Sequence, residues 1–417
     1  MRDWFKWISI ALLGLGSSTF FPLSGDVNPE ASRGAVQALE RALDQAQPSW
    51  DVLAKTPFSK TALTRQDAER AEDLLAHAYL SRLRSERAQE MDENVLRIGD
   101  LSMPFFVAIY GEAPADGRSM FLSMHGGGGA PARVNDQQWE NQKRLYEPAE
   151  GVYVAPRAPT NTWNLWHQDH IDDFFQRLIQ NMVLFHQVNP DKVYLMGYSA
   201  GGDGVYQLAP RMADFFAAAS MMAGHPNETS PLGLRNLPFA IYMGGKDAAY
   251  KRNEIAADWE KKLQALRSSD PEGYLHRVRI FPEFGHWMQK KDAEALPWMS
   301  QYRRQKYPSK VVWKQDDVMH ERFYWLHAPK ESFSERGEIV VSIDAQKMVI
   351  ETMECSTLTL RLNDHLVDLD REVTILRKGQ KLFSGKLERR LETMIQSLMD
   401  RGDPSYLFSA SWTAMNP

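Results

Sequence analysis

Hydrophobic positions change their period twice along the chain. From Asn28 to about Met91 they recur at helical spacing. Val36, Leu39 and Leu43 share one face, and Ala71, Leu74, Leu75 and Ala78 share another. Asn28 can cap the first helix, Pro29 suits its first position, and Pro48 stops it. Thr64 opens a second helix with Asp67 as its capping-box partner. The charge-rich remainder, 82–94, reads as a solvated helix face.

From about Leu101 to Tyr307 short apolar runs alternate with helical patterns. Strands are expected at 104–110, 120–124, 152–155, 193–196, 216–222, 239–243 and 278–281, and helices at 171–186, 202–212 and 253–268. This alternation predicts parallel βαβ units and a sheet covered on both faces. From about Lys310 the rhythm becomes strand after strand. Leu358, Leu360 and Leu362 alternate cleanly, and 338–343, 373–376 and 381–384 complete a small antiparallel set. An amphipathic helix over 387–401 interrupts it, ended by Gly402 and Pro404.

The organisation expected is therefore an α/β core with a mostly parallel sheet over 100–307. A helical extension over 26–99 precedes it, and a β-rich accessory domain with one helix, 308–417, follows. Within residues 1–25, Arg2 and Lys6 precede the apolar run 7–15, with Gly16, Ser17 and Ser18 next. That segment reads as a signal peptide or an N-terminal anchor, so export is expected, with membrane attachment only through this segment. A net charge of -5 without a long basic run argues against nucleic acid as a partner. The single cysteine, Cys355, allows no intrachain disulfide and no cysteine-based metal site, and reads as a packing residue.

The chemistry concentrates at the ends of the central strands. The stretch "VYLMGYSAGG" places Ser199 between Gly197 and Gly201, after an apolar strand and before a helix. A sharp strand-to-helix turn of this kind pushes its central hydroxyl into the open. A serine hydroxyl is a poor nucleophile at neutral pH and needs a base, an orienting group for that base, and donors for the oxyanion. Upstream, "FLSMHGGGGAP" puts Gly126, Gly127 and Gly128 after a strand, where backbone amides can turn towards a ligand; an α/β-hydrolase, which this arrangement resembles, draws one oxyanion donor from such a loop and the other from the residue after the nucleophile, here Ala200. His125 reads as a structural hydrogen-bonder. Downstream, Asp247 in "YMGGKD" and His286 in "EFGHW" each follow a strand.

The remaining polar candidates are weaker. Asp203 stands too close to Ser199 to orient a base, and His276 precedes its strand. His225 follows the strand after the serine and is expected to line the cleft, with Trp163, Trp166 and His167 as pocket walls. The stretch "NLWHQDHIDD" sets His167 and His170 near Asp172 and Asp173, but no third and fourth ligands are evident, so no metal is expected.

Together GYSAGG, HGGGG, GGKD and GH, covering residues 100–305, resemble the α/β-hydrolase superfamily, and within it the exported bacterial esterases related to polyhydroxybutyrate depolymerases and feruloyl or acetylxylan esterases. The resemblance implies Ser199 as nucleophile, His286 as general base and acid, Asp247 as its orienter, an acyl-enzyme intermediate and no cofactor. The expected partner is a small-molecule or polymeric ester. Two features depart from the family pattern: no disulfide is possible, and both terminal extensions are additional. A prolyl-oligopeptidase-like peptidase is the runner-up, although 26–99 is too short for a propeller. A non-catalytic binding protein with a hydrolase-like core is the alternative of a different class.

Overall fold

A computed structural model describes residues 27–45 and 49–416. The leader expected over residues 1–25 and the helix stop expected at Pro48 lie outside the described residues. No helix among the described residues is long and apolar enough to cross a membrane.

The chain opens with α1 (Pro29–Asp44), α2 (Trp50–Ala54) and α3 (Arg65–Glu93). Asn28 caps α1 by accepting from the Glu30 and Ala31 amides. At the start of α3, Thr64 Oγ1 accepts from the Asp67 amide and donates to the Asp67 carboxylate. The second half of α3 is exposed over most of its length, as its charges suggest, but one side meets a neighbouring helix. Arg84 donates to the Leu184 carbonyl, Arg87 to Gln180 and Asn181, and Glu90 pairs with Arg177. Charged side chains there satisfy polar groups of a neighbouring helix, which composition alone cannot distinguish from contact with water.

The central region runs β1 (Val95–Ile98), β2 (Leu101–Tyr110), β3 (Arg118–Met124), α4 (Ala132–Gln142), β4 (Gly151–Pro156), α5 (His170–His186), β5 (Val188–Tyr198), α6 (Ala200–Arg211), β6 (Ala218–Met222), β7 (Phe239–Gly244), α7 (Arg252–Ser269), β8 (His276–Phe281) and α8 (Ala295–Met299). Its eight strands are ordered β1-β2-β4-β3-β5-β6-β7-β8. The pairs from β4 to β8 are parallel, and β1 and β2 add an antiparallel edge. Strands β4, β6 and β7 are buried throughout, as parallel strands covered on both faces must be. The pleat sorts their side chains. Met120, Leu122 and Met124 join one core with Phe174, Leu178 and Val205, while Phe121, Tyr194 and Met196 join a second with Leu296 and Trp298. This sheet brings β5, β7 and β8 to one edge of the fold, where their C-terminal loops meet.

The last region contains β9 (Lys310–Lys314), β10 (Arg322–Phe323), β11 (Leu326–His327), β12 (Glu338–Asp344), β13 (Lys347–Met353), β14 (Thr357–Leu362), β15 (Val373–Arg377), β16 (Gln380–Gly385), α9 (Leu391–Arg401) and β17 (Ala410–Met415). They form two sheets, β10-β11-β14-β17 and β16-β15-β13-β12-β9. The set is not purely antiparallel, because β13 pairs with β15 in parallel. The intervening β14 lies in the other sheet, so the chain crosses over and returns in the same direction. Val311, Trp313 and Tyr324 belong to the same buried cluster as Phe215 and Leu234, so the β-rich part shares a core with the central sheet. Helix α9 packs with α1 and α3 around Leu39, Leu75, Met394 and Leu398.

Glu72 on α3 is one polar cost of this junction. Burial, then the charges of Asp364, Glu69 and Asp73, push its carboxyl up from 4.5 to about 7. The folded state thus holds this proton more tightly than the unfolded chain. Its stabilising contribution is complete below pH 4.5 and is lost as the pH rises through 7. Glu72→Gln is expected to stabilise the protein at pH 8 by roughly 1–3 kcal/mol and to have little effect at pH 4. Urea unfolding at both pH values checks this, and an equal effect at the two would overturn it.

Candidate active site

Ser199 sits between β5 and α6 with φ 58 and ψ -121, a conformation L-residues rarely adopt. Its neighbours hold it there. The Ser199 amide donates to the Met222 carbonyl at 2.9 Å, and its carbonyl accepts from the Asp203 amide at 2.9 Å. Gly201 permits the turn sterically, since a Cβ there would lie 2.2 Å from the Met124 carbonyl oxygen. Gly201 therefore lets α6 approach the end of β3, and a Cβ on Gly197 would lie 2.2 Å from the Gly201 carbonyl oxygen, so β5 and α6 also pass at a distance only glycine allows.

Two loops converge on the hydroxyl. His286 Nε2 lies 2.9 Å from Ser199 Oγ, and His286 Nδ1 lies 2.7 Å from Asp247 Oδ2. Asp247 is 3% exposed, whereas the His286 side chain is 43% exposed. The carboxylate is therefore desolvated and oriented while the imidazole edge faces the cleft. Arg252 Nη1 stands 3.7 Å from the other Asp247 oxygen. The acid and histidine loops are also joined through backbone, Gly245 N–H to Phe281 C=O at 2.8 Å and Lys246 N–H to Phe284 C=O at 2.9 Å. The sequence-expected trio is thus assembled from the ends of β5, β7 and β8.

The glycine loop follows β3. His125 is fully buried, its Nδ1 2.6 Å from the Gly126 carbonyl and its Nε2 accepting from the Ala158 amide at 3.1 Å. Those partners assign the proton to Nδ1, and burial depresses the ring's basicity to about 4. His125 is a neutral strut, as its place before the glycines suggests. Asn135 on α4 locks the loop by accepting from the Gly128 amide at 3.0 Å and donating to the Gly128 carbonyl at 3.1 Å. Gly127 has φ +115, and a Cβ there would meet Asn135 Oδ1 at 2.1 Å. Gly128 lines the cleft, but its amide is already spent on Asn135 and does not serve as an oxyanion donor. Gly126 is buried against the serine, its carbonyl taken by His125.

A cavity of about 430 Å³ opens beside Ser199, lined by Gly127, Gly128, Gly129, Trp163, Ala200, Asp203, His225, Asn227, Tyr250 and Arg252. Trp163, 64% exposed, and Tyr250, 77% exposed, form its apolar rim. His225 reaches the cavity as expected. Its Nδ1 accepts from the Asn227 amide, and its own amide donates to Asp203 at 2.6 Å. Burial pushes Asp203 up to about 6, partly offset by that bond and by Arg252. Trp166 does not wall the cavity. It is fully buried, its indole N–H donates to the His125 carbonyl at 2.9 Å, and its ring packs against His125 and Phe175. It supports the glycine loop from within the core.

His167 and His170 do not form a ligand set with Asp172, whose carboxylate is bound by Arg211 and by His320. His276 lies at the start of β8, the end of the sheet opposite the cleft. Asn135, Asp203, Tyr250 and Arg252 escaped sequence reasoning as site residues. Asn135, Tyr250 and Arg252 reach the site from helices or turns with no motif of their own, and Asp203 was set aside only as an orienting acid.

Residues 153–317 match the dienelactone hydrolase family, less than half of the chain. The matched part contains Ser199, Asp247 and His286 and leaves the HGGGG loop outside. NocK of Nocardia uniformis subsp. tsuyamanensis, whose name marks it as an inferred esterase, is 30% identical over 133 residues, 29% of this chain. The chain spans 39% of that relative's length. Among solved structures, a thermostable esterase is similar over 50% of this chain and 62% of its own, with TM-score 0.38 and 14% identity. A ferulic acid esterase is similar over 50% of this chain and 96% of its own, with TM-score 0.35 and 16% identity. The strand order and the family match together give the central region an α/β-hydrolase fold, followed by a β-rich C-terminal region.

Proposed function

We propose that this α/β-hydrolase-fold chain is a serine hydrolase that cleaves carboxylic ester bonds through an acyl-enzyme on Ser199. The observation that carries the reading is the unbroken relay from Ser199 Oγ through the imidazole of His286 to buried Asp247. Each separation is within hydrogen-bond reach, which is what general-base activation of a hydroxyl requires.

In this reading Ser199 Oγ attacks the ester carbonyl carbon while His286 Nε2 takes the hydroxyl proton. Asp247 accepts from His286 Nδ1, fixing the tautomer with Nε2 free and stabilising the imidazolium that forms. The carbonyl electron pair moves onto oxygen, where the Gly127 and Ala200 amides stabilise the charge. The tetrahedral adduct collapses, and the alcohol leaves with the proton from His286. Water then enters along the exposed edge of the imidazole and attacks the acyl carbon as Nε2 takes its proton; this second adduct collapses with the proton passing from Nε2 to Ser199 Oγ, which releases the acid and the free serine. No step requires a cofactor.

Trp163 and Tyr250 at the rim suit an ester with an apolar or aromatic group, and the inferred-esterase name of the relative supports ester over peptide. An exported enzyme, free or held by its leader, fits the sequence of residues 1–25. The test is turnover of short and medium p-nitrophenyl esters and a feruloyl ester beside peptide p-nitroanilides. Ester hydrolysis without anilide hydrolysis is expected. Anilide hydrolysis alone would favour a peptidase, and inertness towards both, with no fluorophosphonate labelling, a binding protein.

A further inference from the structure

The residue before the nucleophile is a tyrosine, and its hydroxyl reaches the loop that carries the base. The Tyr198 ring lies in the apolar cluster with Met196, Met222 and Met288, 8% exposed. Its hydroxyl donates to the His286 carbonyl at 2.6 Å and accepts from the Met288 amide at 3.0 Å. One oxygen therefore ties both ends of the segment His286-Trp287-Met288. Burial holds the phenol well above its ordinary value, so the donating proton is retained through the neutral range.

The tie matters because the loop has little else at that point. His286 and Trp287 are both exposed, and among the described residues the Tyr198 hydroxyl is the one hydrogen-bond partner of the His286 backbone. Anchors exist on either side. Phe284 accepts from Lys246, and the carboxylate of buried Asp292 takes a hydrogen bond from Tyr146. Between them Tyr198 holds the His286 backbone, while Asp247 and Ser199 hold the imidazole ring itself. Tyr198 and Ser199 share a peptide bond, so this contact references the position of the base to the backbone of the nucleophile.

We infer that Tyr198 is a positioning residue whose hydroxyl holds His286 in register with Ser199. The inference rests on the reading of Ser199 and His286 as nucleophile and base. Tyr198→Phe keeps the ring in its cluster and removes both bonds. A misplacement of about 1 Å can cost on the order of 100-fold in rate. The expected result is a kcat lower by about 10- to 100-fold with KM changed less than about twofold. The low-field Nδ1–H proton resonance of the His286–Asp247 pair should broaden at the same time, which a loss of stability alone would not produce.

Hydrogen exchange reads the tie without activity. In the wild-type protein the Met288 amide should exchange as slowly as those of β5, and in Tyr198→Phe it should accelerate while the β5 amides stay protected. A variant with wild-type kcat overturns the inference, whether or not Met288 has become labile. If the variant fails to fold, wild-type exchange decides, since a Met288 amide as labile as that of exposed Gln289 overturns it and a protected one supports it. Should Ser199→Ala remain active, the proposed function fails instead, a result separable from the exchange data.

Discussion

Ser199→Ala is expected to lower kcat on carboxylic esters by about four to six orders of magnitude, with little change in KM. Oγ is the only heavy atom removed, and in the proposed mechanism it is the atom that forms the new bond. A residue at φ 58 in a turn this crowded keeps its backbone when Oγ is deleted, because the Met222 and Asp203 contacts are made by main chain. The glycine loop, Trp163 and Tyr250, which line the cavity and would hold the substrate in the proposed reading, are left alone by the change. What residual rate survives would come from the oxyanion donors and from proximity. The measurement is single-turnover hydrolysis of a p-nitrophenyl ester by both proteins, paired with fluorophosphonate labelling of each. Equal activity, or labelling of the alanine variant, would move the nucleophile elsewhere and leave the strained turn without a chemical role.

The second large effect concerns stability. Arg401→Leu is expected to cost about 3–5 kcal/mol, because it strands a buried charge. Asp214, 1% exposed between α6 and β6, accepts from Arg401 Nη1 at 2.6 Å and from the Tyr324 amide at 3.1 Å. Burial raises the Asp214 carboxyl, but Arg401 and then Arg322 outweigh it, and the net shift is downward. The acid is therefore ionised in the fold. Without Arg401 the remaining cation, Arg322, stands 3.8 Å away, too far for a direct hydrogen bond. Arg401 Nη2 also donates to the Tyr324 carbonyl, which would be left unpaired. Removing both charges in Asp214→Leu with Arg401→Leu should recover part of the loss, since an apolar pair does not carry the uncompensated charge. Urea unfolding of the single and double variants distinguishes these cases, and a single-variant loss below about 1 kcal/mol would show that the pair does not couple the two regions.

Much of this molecule is readable from the order of residues, and the reason is local. Alternating apolar runs and helical stripes placed the seven expected central strands and their helices because strand and helix periods depend on near neighbours. The elbow was legible for the same reason. Gly197 and Gly201 approach each other within the motif, a Cβ on Gly197 lying 2.2 Å from the Gly201 carbonyl oxygen, so that part of the turn carries its own geometry. Asp247 and His286 stood out as polar residues in loops directly after strands, in an order that resembles a known family, and parallel strands deliver such C-terminal loops to one edge.

What only the tertiary structure decided lies where partners are far apart in sequence. The spent amide of Gly128, the burial of Trp166 and the placing of Arg252 near Asp247 depend on helices and turns that arrive from elsewhere. So do the Glu90–Arg177 contact and the parallel pairing of β13 with β15. A charge in a sequence shows its sign but not its partner, and a strand shows its period but not its direction relative to the next. Whether such a group meets water or another chain segment is settled by packing, and that depends on all the residues at once.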